Sequence, residues 1–143
     1  MNPTTIKQLD KWMTDNCYND NSYAIGDRII NEGCGLDEFG SLFVWYYTDR
    51  GKRENLDYFR TEQEAVEFAF KKITADKYAN SHRIGFIKDR NEVAELLAEL
   101  ANRNIEFWKE EIPIQRERRT RIFVYGCDIL KVKDLQDKYN SEK

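Results

Sequence analysis

The sequence predicts an α+β fold: a single domain over residues 1–143, built on an antiparallel sheet with a central β-hairpin and packed by about three amphipathic helices. Three observations carry this. Residues 43–70, FVWYYTDRGKRENLDYFRTEQEAVEFAF, run from a strand apolar on both faces through a charged turn and a second strand straight into a capped helix. Val93, Leu96, Leu97, Leu100 and Ala101 fall at i, i+3, i+4, i+7 and i+8, the stripe of an amphipathic helix. A chain of 143 residues, 41% hydrophobic with three Trp, eight Tyr and eight Phe, buries about 68–70% of its unfolded surface, enough for one core without staples.

The elements follow in order. Thr5 and Gln8 after Pro3 form a T-x-x-Q capping box that opens a first helix, with Ile6, Leu9, Met13 and Cys17 at helical spacing. Turn formers in NCYNDN, residues 16–21, end it. Residues 22–30 fit a short strand, a short helix or both, and NEGCGLDEFG at 31–40, with three glycines and three acids, reads as a loop. Residues 42–47 form the clearest strand: Leu42, Val44 and Tyr46 face one way and Phe43, Trp45 and Tyr47 the other, so both faces are expected to be covered. Gly51 supplies the positive φ of the turn at 48–53, and the return strand spans about 55–59. Thr61 and Glu64 cap the next helix, whose buried stripe is Val66, Ala69, Phe70 and Ile73. A short apolar run at 84–87 precedes the third helix, opened by Asp89 and Glu92 and closed by Asn104 as a left-handed cap. Further strands are expected at 105–112 and 121–125, joined by the arginine segment that contains Pro113, with a short helix in the tail KVKDLQDKYNSEK.

Charge is the strongest functional signal. The formal net charge is −3, which gives the whole molecule no nucleic-acid footprint. Residues 10–49 nevertheless hold eight acids against Lys11 and Arg28, while IQRERRTR at 114–121 holds four arginines and one glutamate. Such asymmetry suits either an acidic face that meets a basic partner or two plainly solvated faces of opposite sign. The first fifteen residues carry Lys7, Asp10, Lys11 and Asp15 with no apolar run, and no segment is long and apolar enough to span a bilayer, so the expected location is cytoplasmic. Cys17, Cys34 and Cys127 form no CxxC pair, and an odd count leaves at least one thiol free.

Nothing in the chain assembles a catalytic signature. His82 is the only histidine, with no second one to share a metal and no nucleophile motif near any cysteine. Gly33-Cys34-Gly35 and Gly126-Cys127-Asp128 lack the context of a phosphate loop and read as tight turns. The acidic pairs Asp37-Glu38 and Glu110-Glu111 read as solvated carboxylates. No enzyme activity, metal or cofactor is expected. The arginine segment keeps a second reading open, a small nucleic-acid-binding regulator using Arg116, Arg118, Arg119 and Arg121, although Glu117 interrupts it and it holds no stacking aromatic.

The turn YYTDRG at 46–51, the strand ending in Phe59 that leads into TEQEA at 61–65, and RIFVYGCDI at 121–129 after an Ile105-led strand together resemble the small immunity proteins of bacterial polymorphic toxin and contact-dependent growth inhibition systems. The similarity spans most of the chain, from about residue 40 onward. It implies a cytosolic, non-catalytic protein that neutralises one cognate toxin domain, often a nuclease, by covering or distorting its active site. It transfers no individual binding residue. The charge pattern agrees with that implication, because a nuclease needs a positive cleft to which an acidic inhibitor is steered. The expected partner surface is therefore the acidic N-terminal third: Tyr18, Asp20, Asp27, Glu32, Asp37, Glu38 and Phe39.

Overall fold

The computed structural model describes residues 2–140. The fold is α+β, with four α-helices and two sheets of four and three strands among the described residues. Where the sequence pointed to one sheet there are two, because the chain gathers into two compact units, Met1–Asn80 and Ser81–Lys143, each with a sheet and a core of its own.

Unit 1 runs α1 (Ile6–Asp15), β1 (Ala24–Ile25), β2 (Glu32–Phe39), β3 (Leu42–Asp49), β4 (Lys52–Phe59) and α2 (Glu62–Thr74), closing on a 3-10 turn at Lys77–Asn80. The sheet order is β1-β2-β3-β4, with β1 parallel to β2 and the rest antiparallel. Both helix starts are capped as the sequence implies: Thr5 Oγ1 accepts from the Gln8 amide at 3.1 Å and Thr61 Oγ1 from the Glu64 amide at 3.2 Å. One apolar cluster packs Leu9, Met13, Ala65, Val66, Ala69 and Ile73 from the two helices onto Ile25, Leu36 and Trp45 of the sheet. A second cluster, Ala24, Ile30, Val44 and Tyr46, takes up the alternate side chains of β3, so that strand is covered on both faces, as its pattern requires.

The stretch 31–40 is β2 and not a loop. Its glycines are there for close approach. A Cβ on Gly35 would stand 2.5 Å from the Ala24 carbonyl oxygen and 2.7 Å from the Tyr46 ring, so only glycine lets β1 and β3 close on this strand. Helix α1 also ends sooner than its stripe suggested. Cys17 lies in the left-handed region (φ 57°) outside the helix, and the Tyr18 amide donates back to the Met13 carbonyl at 3.0 Å.

Unit 2 runs β5 (Ser81–Ile87), α3 (Arg90–Asn102), β6 (Phe107–Ile114), β7 (Glu117–Tyr125), a 3-10 segment at Gly126–Lys131 and α4 (Lys133–Tyr139), with sheet order β5-β7-β6. The expected tail helix is α4; the rest of that segment, residues 141–143, lies outside the described residues. Asn104 takes the left-handed cap position (φ 56°), with the Ile105 amide donating to the Leu100 carbonyl at 2.9 Å. The buried line of α3 is Leu96 and Leu100; Val93 and Leu97 pack at its margin and Ala101 is exposed. The arginine segment is no connector. It forms the tight turn at 115–116 and the first half of β7, paired in register with β6, where Pro113 sits on the sheet edge and removes no ladder bond from a central strand.

Candidate functional site

A groove of about 800 Å³ lies wholly in unit 1. Its wall is made by Ile6, Lys7 and Asp10 from α1, Ile25 to Arg28 from β1 and the turn after it, Asp37 and Glu38 from the end of β2, and Glu62 at the start of α2. Ile6 and Asp10 are four residues apart on α1 and so share one face. Gly26 has φ 68°, and a Cβ there would sit 3.2 Å from the Ile6 methyl, so the turn after β1 holds close to α1 only with glycine.

Five acidic and two basic residues line this groove; Asp37 and Glu38, adjacent on β2, turn their side chains to opposite faces of the sheet, and the carboxylates have different fates. Asp10 is held by Arg28, with Nη2 at 2.9 Å and Nε at 3.3 Å; the same guanidinium reaches Asp20 at 3.2 Å. Hydrogen bonding to Asp10 raises the Arg28 pKa against the opposing effect of burial, which keeps the cation firmly in place. Asp37 takes a two-pronged contact from Arg53, both at 2.8 Å, the geometry in which a guanidinium fork matches a carboxylate. Arg53 also lies 3.8 Å from the Tyr46 ring centroid and 4.8 Å from that of Phe39. Glu62 Oε2 accepts the Ile6 amide at 2.8 Å and satisfies an orphan donor at the start of α1. Asp27 and Glu38 are exposed and have no hydrogen-bond or ion-pair partner among the described residues. With three carboxylates occupied internally, these two and the exposed Lys7, which likewise has no partner among the described residues, are the groove's open charges.

Of the residues expected at the partner surface, Asp27, Asp37 and Glu38 come together in this groove, and Asp20 joins it through Arg28. Phe39 directly follows Glu38 and is 53% exposed. Tyr18 and Glu32 lie elsewhere. Tyr18 is half-buried against the helix-side core with its ring 5.2 Å from Trp12, and burial raises its hydroxyl pKa. Glu32 starts β2, at the end of the strand away from Asp37 and Glu38, and accepts the Tyr47 hydroxyl at 2.6 Å; that bond pushes the Tyr47 pKa up to about 12.

Sequence reading missed Asp10, Glu62, Arg53 and Ile29. The i, i+4 relation of Ile6 and Asp10 marks the groove-facing side of α1 in retrospect. Nothing local identifies Arg53, whose partner is 16 residues away across two strands. Ile29 lies between Arg28 and the apolar Ile30 in sequence and is 93% exposed.

In unit 2 three of the four arginines of the 114–121 segment are paired with glutamates. Arg118 pairs with Glu111 at 3.7 Å, Arg119 with Glu117 at 3.6 Å and Arg121 with Glu110 at 3.2 Å, and Arg119 stacks over Phe86 at 5.0 Å. Glu110 and Glu111 are neighbours on one strand and point to opposite faces, so they make no carboxylate dyad. Cys34 carries a free, half-buried thiol whose pKa burial raises, away from reactive thiolate character. Among the described residues no helix is long and apolar enough to cross a membrane.

No protein-family model matches this chain, and neither does any curated protein or solved structure.

Proposed function

We propose that this chain is an immunity protein, a non-catalytic cytoplasmic inhibitor that docks its acidic groove onto a basic cognate toxin domain and so denies that domain its substrate cleft. The observation that carries this reading is the pair of unpartnered carboxylates, Asp27 and Glu38, on a groove whose remaining acids are already occupied. Net unpartnered surface charge, here two carboxylates against Lys7, steers an oppositely charged partner and adds on-rate and selectivity. The wider imbalance supports it too: residues 1–80 hold fourteen acids against ten bases, and residues 81–143 twelve against thirteen. A nuclease active site is a suitable target, since it concentrates positive charge for a polyanion. No cofactor or metal enters this mechanism.

The nucleic-acid reading draws less support. Three of the four arginines it needs already hold carboxylates of the same hairpin. Phosphate binding would have to break those pairs.

The test is co-expression with the toxin domain encoded beside this chain's gene, scored as growth. The expected result is rescue by the wild-type chain and loss of rescue by Asp27→Lys with Glu38→Lys. Continued killing in the presence of well-folded wild-type protein overturns the reading.

A further inference from the structure

Ile29 stands out on this molecule because 93% of its surface is exposed while both its neighbours are tied down. On one side the Arg28 guanidinium bridges Asp10 and Asp20. On the other side Ile30 is buried with Ala24, Val44 and Tyr46. Beyond it the Asn31 carbonyl accepts the Arg50 amide at 2.8 Å. The turn therefore cannot bury Ile29 by a local rearrangement without releasing an ion-pair bridge or a core residue. The backbone that carries it is held in a fixed place, with its ordering entropy already spent in folding, and Ile29 follows directly on Gly26, Asp27 and Arg28 of the acidic groove.

We propose that Ile29 is the apolar anchor of the docking surface, inserting into a pocket on a basic protein partner while Asp27 and Glu38 engage cations around that pocket. This rests on the immunity reading above and adds to it the residue that carries most of the affinity. A buried apolar anchor ringed by polar contacts is the general anatomy of an interface hot spot, and an anchor held rigid in advance loses little entropy on binding. Phe39, half-exposed and next to Glu38 in sequence, is a second candidate apolar contact. The charge identifies the occupant. A second copy of this chain meeting the same patch in twofold fashion would set Asp27 and Glu38 against themselves, and an anionic lipid surface would be repelled by the same carboxylates. A basic protein surface is attracted.

The experiment uses the full chain and, as probe, the purified toxin domain encoded beside its gene, inactivated at its own catalytic residues. Affinity is measured by calorimetry for wild type, Ile29→Ala, Ile29→Asp and, as a control for exposed apolar residues elsewhere, Leu130→Asp. Sedimentation of each protein alone runs in parallel. At so exposed a position both Ile29 variants should melt as wild type does. Roughly tenfold or greater weakening by Ile29→Ala, more for Ile29→Asp, with Leu130→Asp unchanged, supports the anchor. Wild-type binding that Ile29→Asp leaves intact overturns the anchor and spares the immunity reading. Absence of wild-type binding overturns both. A wild-type dimer that Ile29→Asp converts to monomer shows the patch to be a self-association surface and also overturns the proposal.

Discussion

Units 1 and 2 are built from similar parts, an antiparallel-rich sheet with two α-helices, but they dispose of charge in opposite ways. In unit 2 the arginine-rich hairpin and the α3–α4 face pair most of their charges at short range. Arg103 holds both Glu99 (3.0 Å) and Asp134 (2.7 Å), Lys138 holds Glu95 (3.1 Å), and the arginines of β7 hold glutamates of the same hairpin. In unit 1 the contacts of Arg28 with Asp10 and of Arg53 with Asp37 leave Asp27 and Glu38 over, near an exposed isoleucine in sequence. The difference teaches that a run of like charge in sequence indicates a binding face only when the fold provides no countercharge within reach. IQRERRTR is the denser run of the two and has become structural. The sparser acidic run has kept free carboxylates.

The comparison is tested most severely through the two cores. Leu96→Ala in unit 2 and Leu36→Ala in unit 1 each truncate a fully buried leucine, and each is expected to cost about 2–5 kcal/mol in denaturant unfolding. Leu97→Ala should cost clearly less than Leu96→Ala, since Leu97 packs at the margin of the cluster. Equal costs would mean the buried line of α3 is misplaced by one position.

Next in size is Gly35→Ala. Its methyl would meet the Ala24 carbonyl oxygen, so the β1–β2 pairing must give way at a cost of about 1–3 kcal/mol. The same Gly→Ala change at Gly40, whose Cβ would meet nothing within 4 Å, isolates the effect of its positive φ (68°) from any clash. A Gly35→Ala protein as stable as wild type would remove the reason given for glycines in β2.

Charge reversal sharpens the comparison directly. Asp27→Lys with Glu38→Lys is expected to slow association with a basic partner by roughly tenfold at low salt and less at moderate salt. Arg116→Glu with Arg118→Glu should leave that rate nearly unchanged. Asp37 is a poor choice for this test, since its loss frees Arg53 and disturbs β4. Stopped-flow rates at two ionic strengths decide it, and an effect confined to the arginine pair would invert the roles of the two units.

The smallest effect is a pH response in unit 2. The Arg103 hydrogen bond holds the Asp134 carboxyl well below the usual range, at about 2. A carboxylate depressed by folding contributes stability that is complete above its unfolded pKa, near 3.9, and is lost as pH falls toward the folded value. Asp134→Asn should therefore lower the melting temperature by a constant amount above about pH 5, a difference from wild type that shrinks between about pH 4 and pH 2 as the wild-type curve falls and the variant's does not. Wild-type and variant curves that stay parallel through that window would show the pair to be energetically silent.

Much of this fold was legible from local chemistry. Capping boxes marked α1 and α2, the stripe of Leu96 and Leu100 marked α3, the alternation at 42–47 marked β3, and Asn104 announced its own cap. These signals are readable because each depends on residues a few positions apart, where helix periodicity and backbone sterics act alone. The strand at 32–39 was not legible. Two glycines and three acids argue for a loop until β1 and β3 approach from either side, at which point a missing Cβ becomes a requirement. The two-sheet division was hidden for the same reason, since strand pairing is a long-range contact. For the site, the sequence by itself determined the sign of the charge and the neighbourhood of Asp27, Asp37 and Glu38. Only the tertiary structure decided which carboxylates were occupied, because Arg28 and Arg53 arrive from 18 and 16 residues away. It alone decided, too, that Ile29 faces outward while Ile30 is buried, because burial is set by the strands that close over a side chain and not by the side chain's own hydrophobicity.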